Sequence, residues 1–184
     1  MLMSGLTFSA TAAPTTPPDD GFTYTEKIDG TIGIEWVDTE KYGTDIKIPA
    51  QINGKDVTSV KLIWNGLTSL DVSYATKLTY LSCSDNNLTS IDISNNPLID
   101  HFYCDNNNIT SLDLRNNTKL EELECAENQL TSLDVSTNTS LIIFGCSFNS
   151  LEKINISNNI DIVGLCCNNN KLTSLDISDM HPKS

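Results

Sequence analysis

The sequence predicts a solenoid of six stacked 21-residue coils with a small antiparallel, β-rich cap at the N-terminal end. Three observations predict it. Cys83, Cys104, Cys125, Cys146 and Cys167 recur at an interval of 21 residues. Three residues after each stands an asparagine: Asn86, Asn107, Asn128, Asn149 and Asn170. Aliphatic and aromatic side chains hold fixed offsets around them, with Leu88, Ile109, Leu130, Leu151 and Leu172 five residues on. Pairs such as Leu78/Leu81, Ile99/Phe102 and Ile162/Leu165 stand five and two residues before. One period earlier, Val57, Val60, Leu62, Asn65 and Leu67 repeat the pattern with Leu62 in the cysteine slot. A strict period in this range marks a repeat architecture.

Taken in chain order, residues 1–20 read as a signal-peptide remnant and a Pro-rich linker. A short apolar stretch ends in Ala10-Thr11-Ala12, the A-x-A form of a secretory cleavage site, although no Lys or Arg precedes it. Pro14–Asp20 (PTTPPDD) cannot pack and is expected to be an extended spacer. Residues 21–56 form the cap. Phe22–Ile28 and Thr31–Val37 are rich in β-formers and flank Asp29-Gly30, a strong hairpin signal. A third strand is expected over Asp45–Pro49, before a turn at Ile52-Asn53-Gly54.

Residues 57–182 are the six coils, numbered one to six from Val57, and 183–184 are a tail. Each coil contributes a short strand whose alternate side chains point inward, and no coil buries its apolar face alone. The strands therefore stack about 4.8 Å apart into a parallel sheet on the concave face, opposite a convex side of loops and turns, over a length on the order of 30 Å. The asparagines are expected inside, satisfying backbone groups that the tight turn leaves unpaired. Equivalent cysteines in successive coils carry parallel Cβ vectors, whereas a disulfide needs converging ones. They are accordingly read as a ladder of reduced, packed thiols. Cys166 lies outside this register and is expected to face out. The residues from Ile177 to Ser184 offer no polar capping unit, which suggests a piece of a longer array.

The consensus L-x-x-L-x-C-x-x-N-x-L-T-S-L-D-ϕ-S-x-N-x-x resembles the leucine-rich repeat, with cysteine in place of the third leucine. The five cysteine coils resemble the repeats of internalins that carry a cysteine in this position, bacterial surface proteins. Internalins begin with a helical cap, and the β-rich cap expected here departs from that pattern. Residues 46–60 (IKIPAQINGKDVTSV) resemble the segment that leads into the repeats of BspA-like bacterial surface proteins. These resemblances imply a secreted or cell-surface bacterial module, adhesin-like, that binds a host or neighbouring-cell protein through its concave face. The alternative is a structural spacer or glycan-contacting module of a larger cell-wall protein.

Charge narrows the partners. Eleven Lys and Arg stand against 24 Asp and Glu, a formal net charge of −13. Nucleic acid requires a basic stripe that this balance opposes, and anionic membrane surfaces repel it too. No apolar run reaches the roughly 20 residues of a membrane-spanning helix. Positions three before, one before, and one and two after the cysteine slot vary in size and charge, while inward positions stay monotonous. They make the partner-binding candidates: Trp64, Tyr80, His101, Tyr103, Asp105, Glu122, Glu124, Glu127 and Phe148. Exposed aromatics beside charge are common interface anchors. Catalysis, metals and cofactors are not expected. His101, Cys104 and Asp105 spell a Cys–His–Asp set, but strand alternation sends His101 out and Cys104 in, and a nucleophile must lie within reach of its base. The column Asp71, Asp92, Asp113, Asp134 and Asp176, interrupted by Asn155, fits side chains that accept backbone N–H groups in turns better than a calcium site. The sequons at Asn87, Asn108, Asn116, Asn138 and Asn155 follow from a repeat rich in Asn, Ser and Thr.

Overall fold

The structure, a computed structural model, describes residues 21–177. The leader and linker expected over 1–20, and the end of the sixth coil with the tail, lie outside the described residues.

The chain enters through an antiparallel hairpin, β1 (Phe22–Glu26) and β2 (Ile32–Val37). Its loop is not the two-residue turn that Asp29-Gly30 suggests. Lys27 N donates to Thr31 O at 2.8 Å and Gly30 N to Lys27 O at 2.9 Å, which closes a three-residue loop over 28–30 with Gly30 at φ 81°. A type I turn followed by a left-handed glycine is the usual three-residue solution, and Gly30 supplies the positive φ. Asp29 locks the exit by accepting from both the amide and the hydroxyl of Thr31. Farther along the hairpin the register slips between Thr23 and Tyr24, so Thr23 opposes Trp36 while Tyr24 opposes Ile34. This bulge leaves Glu35 and Trp36 both exposed, between buried Ile34 and Val37.

A short helix absent from the sequence reading, α1 (Thr39–Tyr42), follows. Asp38 caps it by accepting from Lys41 N at 3.1 Å, and Gly43 ends it at φ 80°. Then come β3 (Asp45–Lys47), β4 (Gln51–Ile52) and β5 (Lys55–Lys61). β4 and β5 form a hairpin closed by Asn53 and Gly54 at φ 52° and 75°, the two-residue turn that Asn-Gly favours.

From β5 onward every coil adds one three-residue sheet strand: β7 (Tyr80–Ser82), β8 (His101–Tyr103), β9 (Glu122–Glu124), β10 (Ile143–Gly145) and β11 (Gly164–Cys166). The sheet runs β1-β2-β5-β7-β8-β9-β10-β11, parallel from β2 on, with neighbours in strict 21-residue register from Ser59↔Tyr80 to Gly145↔Cys166. β3 pairs in parallel with β6 (Ser69–Asp71), on the far side of the first coil. The cap therefore imitates a coil, because β2 extends the main sheet while β3 extends the opposite wall.

One apolar core runs through cap and coils. Phe22, Ile34, Ile48 and Val57 join the Leu81/Cys83, Phe102/Cys104, Leu123/Cys125 and Phe144/Cys146 layers, all buried. In the sixth coil Leu165, Cys167, Leu172 and Leu175 are only partly covered. No disulfide forms: Cys83, Cys104, Cys125 and Cys146 are free and buried, Cys167 is intermediate and Cys166 exposed. The Cys83 and Cys125 thiols approach Tyr103 O and Gly145 O of the following coil at 3.6 and 3.4 Å.

Two columns of asparagine hold the turns. Asn107 Nδ2 donates to Cys83 O, Cys104 O and Asp105 O at 3.0–3.2 Å, while its Oδ1 accepts from Leu88 N. Asn86, Asn128, Asn149 and Asn170 repeat this pattern in their own coils. On the opposite wall Asn96, Asn117, Asn138 and Asn159 are fully buried, and each donates to two carbonyls of the preceding coil. Burial removes Asn138 from the sequons open to a glycan in the folded chain.

Candidate binding face

Strand alternation presents one side chain outward for each inward leucine or phenylalanine. In β7 and β8 these are Tyr80, His101 and Tyr103, and the register brings their rings together. The Tyr80 and Tyr103 centroids are 5.5 Å apart, Tyr80 and His101 6.1 Å, and His101 and Tyr103 6.4 Å. Offset and tilted rings at these separations attract one another beyond their buried area. Lys61, at the end of β5, lies 5.5 Å from the Tyr80 centroid and 3.9 Å from Glu35.

Carboxylates frame the rings. Glu122 accepts from the Tyr103 hydroxyl through Oε2, and its Oε1 lies 3.8 Å from His101 Nε2. Asp100 holds His101 Nδ1 from the other side at 2.7 Å. Loss of water pushes the Tyr103 phenol up, and the Glu122 hydrogen bond and charge push it further. Tyr80 is raised by burial and by Glu35 and Glu122. Asp105 accepts from Ser84 Oγ at 2.7 Å. Glu124 lies across Gly145 of the next strand, where a Cβ would run into its carboxylate. Burial raises the Glu124 carboxyl, and the charges of Asp105 and Glu122 add to the effect.

The other three candidates sit elsewhere. Trp64, Glu127 and Phe148 do not lie in the sheet strands. They belong to a row at the edge of the sheet, Trp64, Asp85, Asn106, Glu127, Phe148 and Asn169, in which every φ lies between 52° and 59°. Here the chain leaves the sheet plane, and Trp64 stands 75% exposed and Phe148 52%. Trp64 and Phe148 are four coils apart, on the order of 20 Å at strand spacing. The outward serines Ser59, Ser82, Ser84 and Ser147 are too short to reach past their neighbours and are buried.

Sequence reasoning missed Glu35, Trp36 and Asp100 as parts of this face, and put Gly145 on it without its contact with Glu124. Asp100 was open to discovery, because it directly precedes a predicted outward histidine. Glu35 and Trp36 were not, because a pairing slip in β1 turns them both outward.

His101 and Cys104 lie on opposite sides of the sheet, with Cys104 fully buried. Burial, with the neighbouring Cys125 and Cys83, raises the Cys104 thiol well above its ordinary range. On the opposite wall Asp71, Asp92, Asp113, Asp134 and Asn155 each accept the amide two residues on. The Arg115 side chain and amide together hold the Asp113 carboxyl down to about 2. Among the described residues no group of three or more His, Cys, Asp or Glu side chains is placed to hold a metal ion. No described helix is long and apolar enough to cross a membrane.

Coils of 21 residues, one short parallel strand apiece and an inward asparagine after each strand define a leucine-rich-repeat solenoid. Its repeats are internalin-like. The functional domain of InlJ from Listeria monocytogenes, which includes a cysteine ladder, is 34% identical over 80% of this chain and 35% of that one, with a TM-score of 0.68. An internalin (InlF) of the same species matches at 21% identity over 74% of this chain and 45% of the other, with a TM-score of 0.53. Internalin C2 (InlC2), again from Listeria monocytogenes, matches at 15% over 80% and 71%, with a TM-score of 0.55. The last two likenesses show the fold alone. The chain spans about a third of the InlJ domain and under half of the InlF chain. No protein-family model and no curated protein sequence matches it. These likenesses bear on the repeats, and the BspA-like resemblance rests on residues 46–60 by themselves.

Proposed function

We propose that this chain is a protein-binding module of a secreted or cell-surface bacterial protein, adhesin-like, that engages its partner through the outer face of the parallel sheet. The observation that carries the reading is the ring cluster of Tyr80, His101 and Tyr103, gathered from two strands and left partly open to solvent. Aromatic side chains that keep few rotamers and are held by neighbours lose little entropy on binding, which is what an interface anchor requires. The likeness to InlJ supports the scaffold, and the exposed Trp36, Ile63 and Trp64 extend the face toward the cap. Recognition is favoured because His101 lies on the outer face while Cys104 is buried on the inner one.

Capture of proteins from host-cell and bacterial surface extracts by the immobilised chain tests this reading. Tyr103→Ala, or Glu122→Lys with Glu124→Lys, is expected to remove the captured species. Arg115→Ala, on the turn side of the coil, should leave them in place. Identical capture by all four proteins would refute it. Binding to a glycan array that Tyr103→Ala abolishes, without protein capture, would favour the glycan-contacting alternative.

A further inference from the structure

We infer that the partner is basic, and that the sheet face of coils three to five receives an arginine or lysine side chain between Asp105, Glu122 and Glu124, alongside the Tyr103 ring. This rests on the protein-binding reading and fixes the chemistry of the surface that would dock.

The argument starts from charge. Along the face and its rim stand Glu35, Asp100, Asp105, Glu122, Glu124 and Glu127, against Lys61 and, at the cap end, Lys27, which donates to Thr58 and lies beside Glu35. Lys61 is already shared between Glu35 and the Tyr80 ring, and His101 between Asp100 and Glu122. Among the described residues no Lys or Arg forms an ion pair with Asp105, Glu124 or Glu127. Like charges on adjacent strands repel, and the repulsion persists until a cation arrives from outside.

Shape agrees with charge. Tyr103 and Glu124 are register partners, and Gly145 is the residue opposite Glu124 on the next strand. Because Gly145 has no side chain, the Glu124 carboxylate lies down over it and loses water, which raises its proton affinity, with the charges of Asp105 and Glu122 adding to the effect. On β11 Cys166 lies opposite Gly145 and Gly164 opposite Ile143, so the Ile143 side chain offers apolar contact for the aliphatic stem of a long basic side chain. The Tyr103 ring forms one wall, fixed by its hydroxyl on Glu122 and by Tyr80. A guanidinium beside an aromatic ring and carboxylates combines cation–π contact with charge-assisted hydrogen bonds, and its planarity suits it better than an ammonium.

The test uses the whole chain labelled with nitrogen-15 and three probes: a blocked arginine-containing hexapeptide, the same peptide with glutamate for arginine, and calcium chloride. The arginine peptide is expected to shift the amides of Tyr103, Asp105, Glu124 and Gly145, and to bind more weakly as salt rises. Glu122→Gln with Glu124→Gln should weaken it by roughly tenfold or more, with the remaining spectrum unchanged as proof of folding. The glutamate peptide should shift nothing there. Absence of shifts with the arginine peptide, equal affinity in the double variant, or occupation by calcium with exclusion of the peptide would overturn the inference. If the extract experiment captures acidic proteins that depend on Tyr103, this inference falls while the protein-binding reading stands. If the peptide binds here and capture is indifferent to Tyr103, the reading falls and the cationic subsite stands.

Discussion

Asn107 shows how a single side chain carries the fold. It spends both amide hydrogens on three backbone carbonyls and its oxygen on Leu88 N, all in a region closed to water. A buried carbonyl or amide left without a partner costs about 1–3 kcal/mol. Asn107→Ala should therefore lower unfolding free energy by about 2–4 kcal/mol, read from urea titration. Asn106→Ala, its exposed neighbour, should cost less, about 1 kcal/mol, because its backbone at φ 52° suits asparagine better than alanine. The inward asparagines were legible in the sequence because each coil recreates one environment and so asks for one residue. The place of Gly145 on the outer face was legible as well, but its role was not, because that role is a contact with Glu124 of the preceding coil that neither coil's pattern contains. The second asparagine column was written in the consensus too. Its meaning was hidden, because nothing local says that Asn117 reaches back to Ile93 O and Asn96 O.

At the scale of the element, the cysteine column behaves as a titratable core. Burial pushes the Cys83 and Cys146 thiols up to about 12 and raises Cys104 and Cys125 as well, from an ordinary 9.0. Unfolded thiols release their protons near 9 while folded ones keep them, so the folded state binds more protons above that point. Stability is complete below about pH 9 and falls as pH rises toward 12, by up to about 1.4 kcal/mol per pH unit for each fully protected thiol. The raised phenols of Tyr80 and Tyr103 act in the same direction. Thermal melts should accordingly decline steeply between pH 9 and 11, and less steeply in Cys104→Ala measured against its own value at pH 7. An equal slope in the two proteins would remove the thiols as the cause. The strands themselves were predictable from spacing, but the cap was only half so. Asn53-Gly54 makes the tight turn its residues favour, whereas Asp29-Gly30 is overruled by the pairing of Lys27 with Thr31, which adds a residue to the loop.

The whole molecule is a one-dimensional stack in which each coil is stabilised by its two neighbours. Removing a side chain from a middle layer therefore weakens two interfaces, and removing one from a partly covered layer weakens less. Phe102→Ala, in a fully buried layer, is expected to cost about 3–5 kcal/mol. Leu165→Ala, in the partly covered sixth coil, should cost clearly less, with differential scanning calorimetry as the measure. Equal losses would mean that the sixth layer is as well packed as the third. The row at φ 52–59° also runs the length of the stack, and asparagine or aspartate holds three of its six places. Those residues tolerate a left-handed backbone, whereas tryptophan, glutamate and phenylalanine enter it at a cost on the order of 1 kcal/mol. Trp64, Glu127 and Phe148 thus occupy seats whose backbone shape is dictated by the coil and indifferent to what the side chain does outside. Such a row is a display rack: its contents can be exchanged one seat at a time, and recognition can be rewritten without reopening the question of how the chain folds.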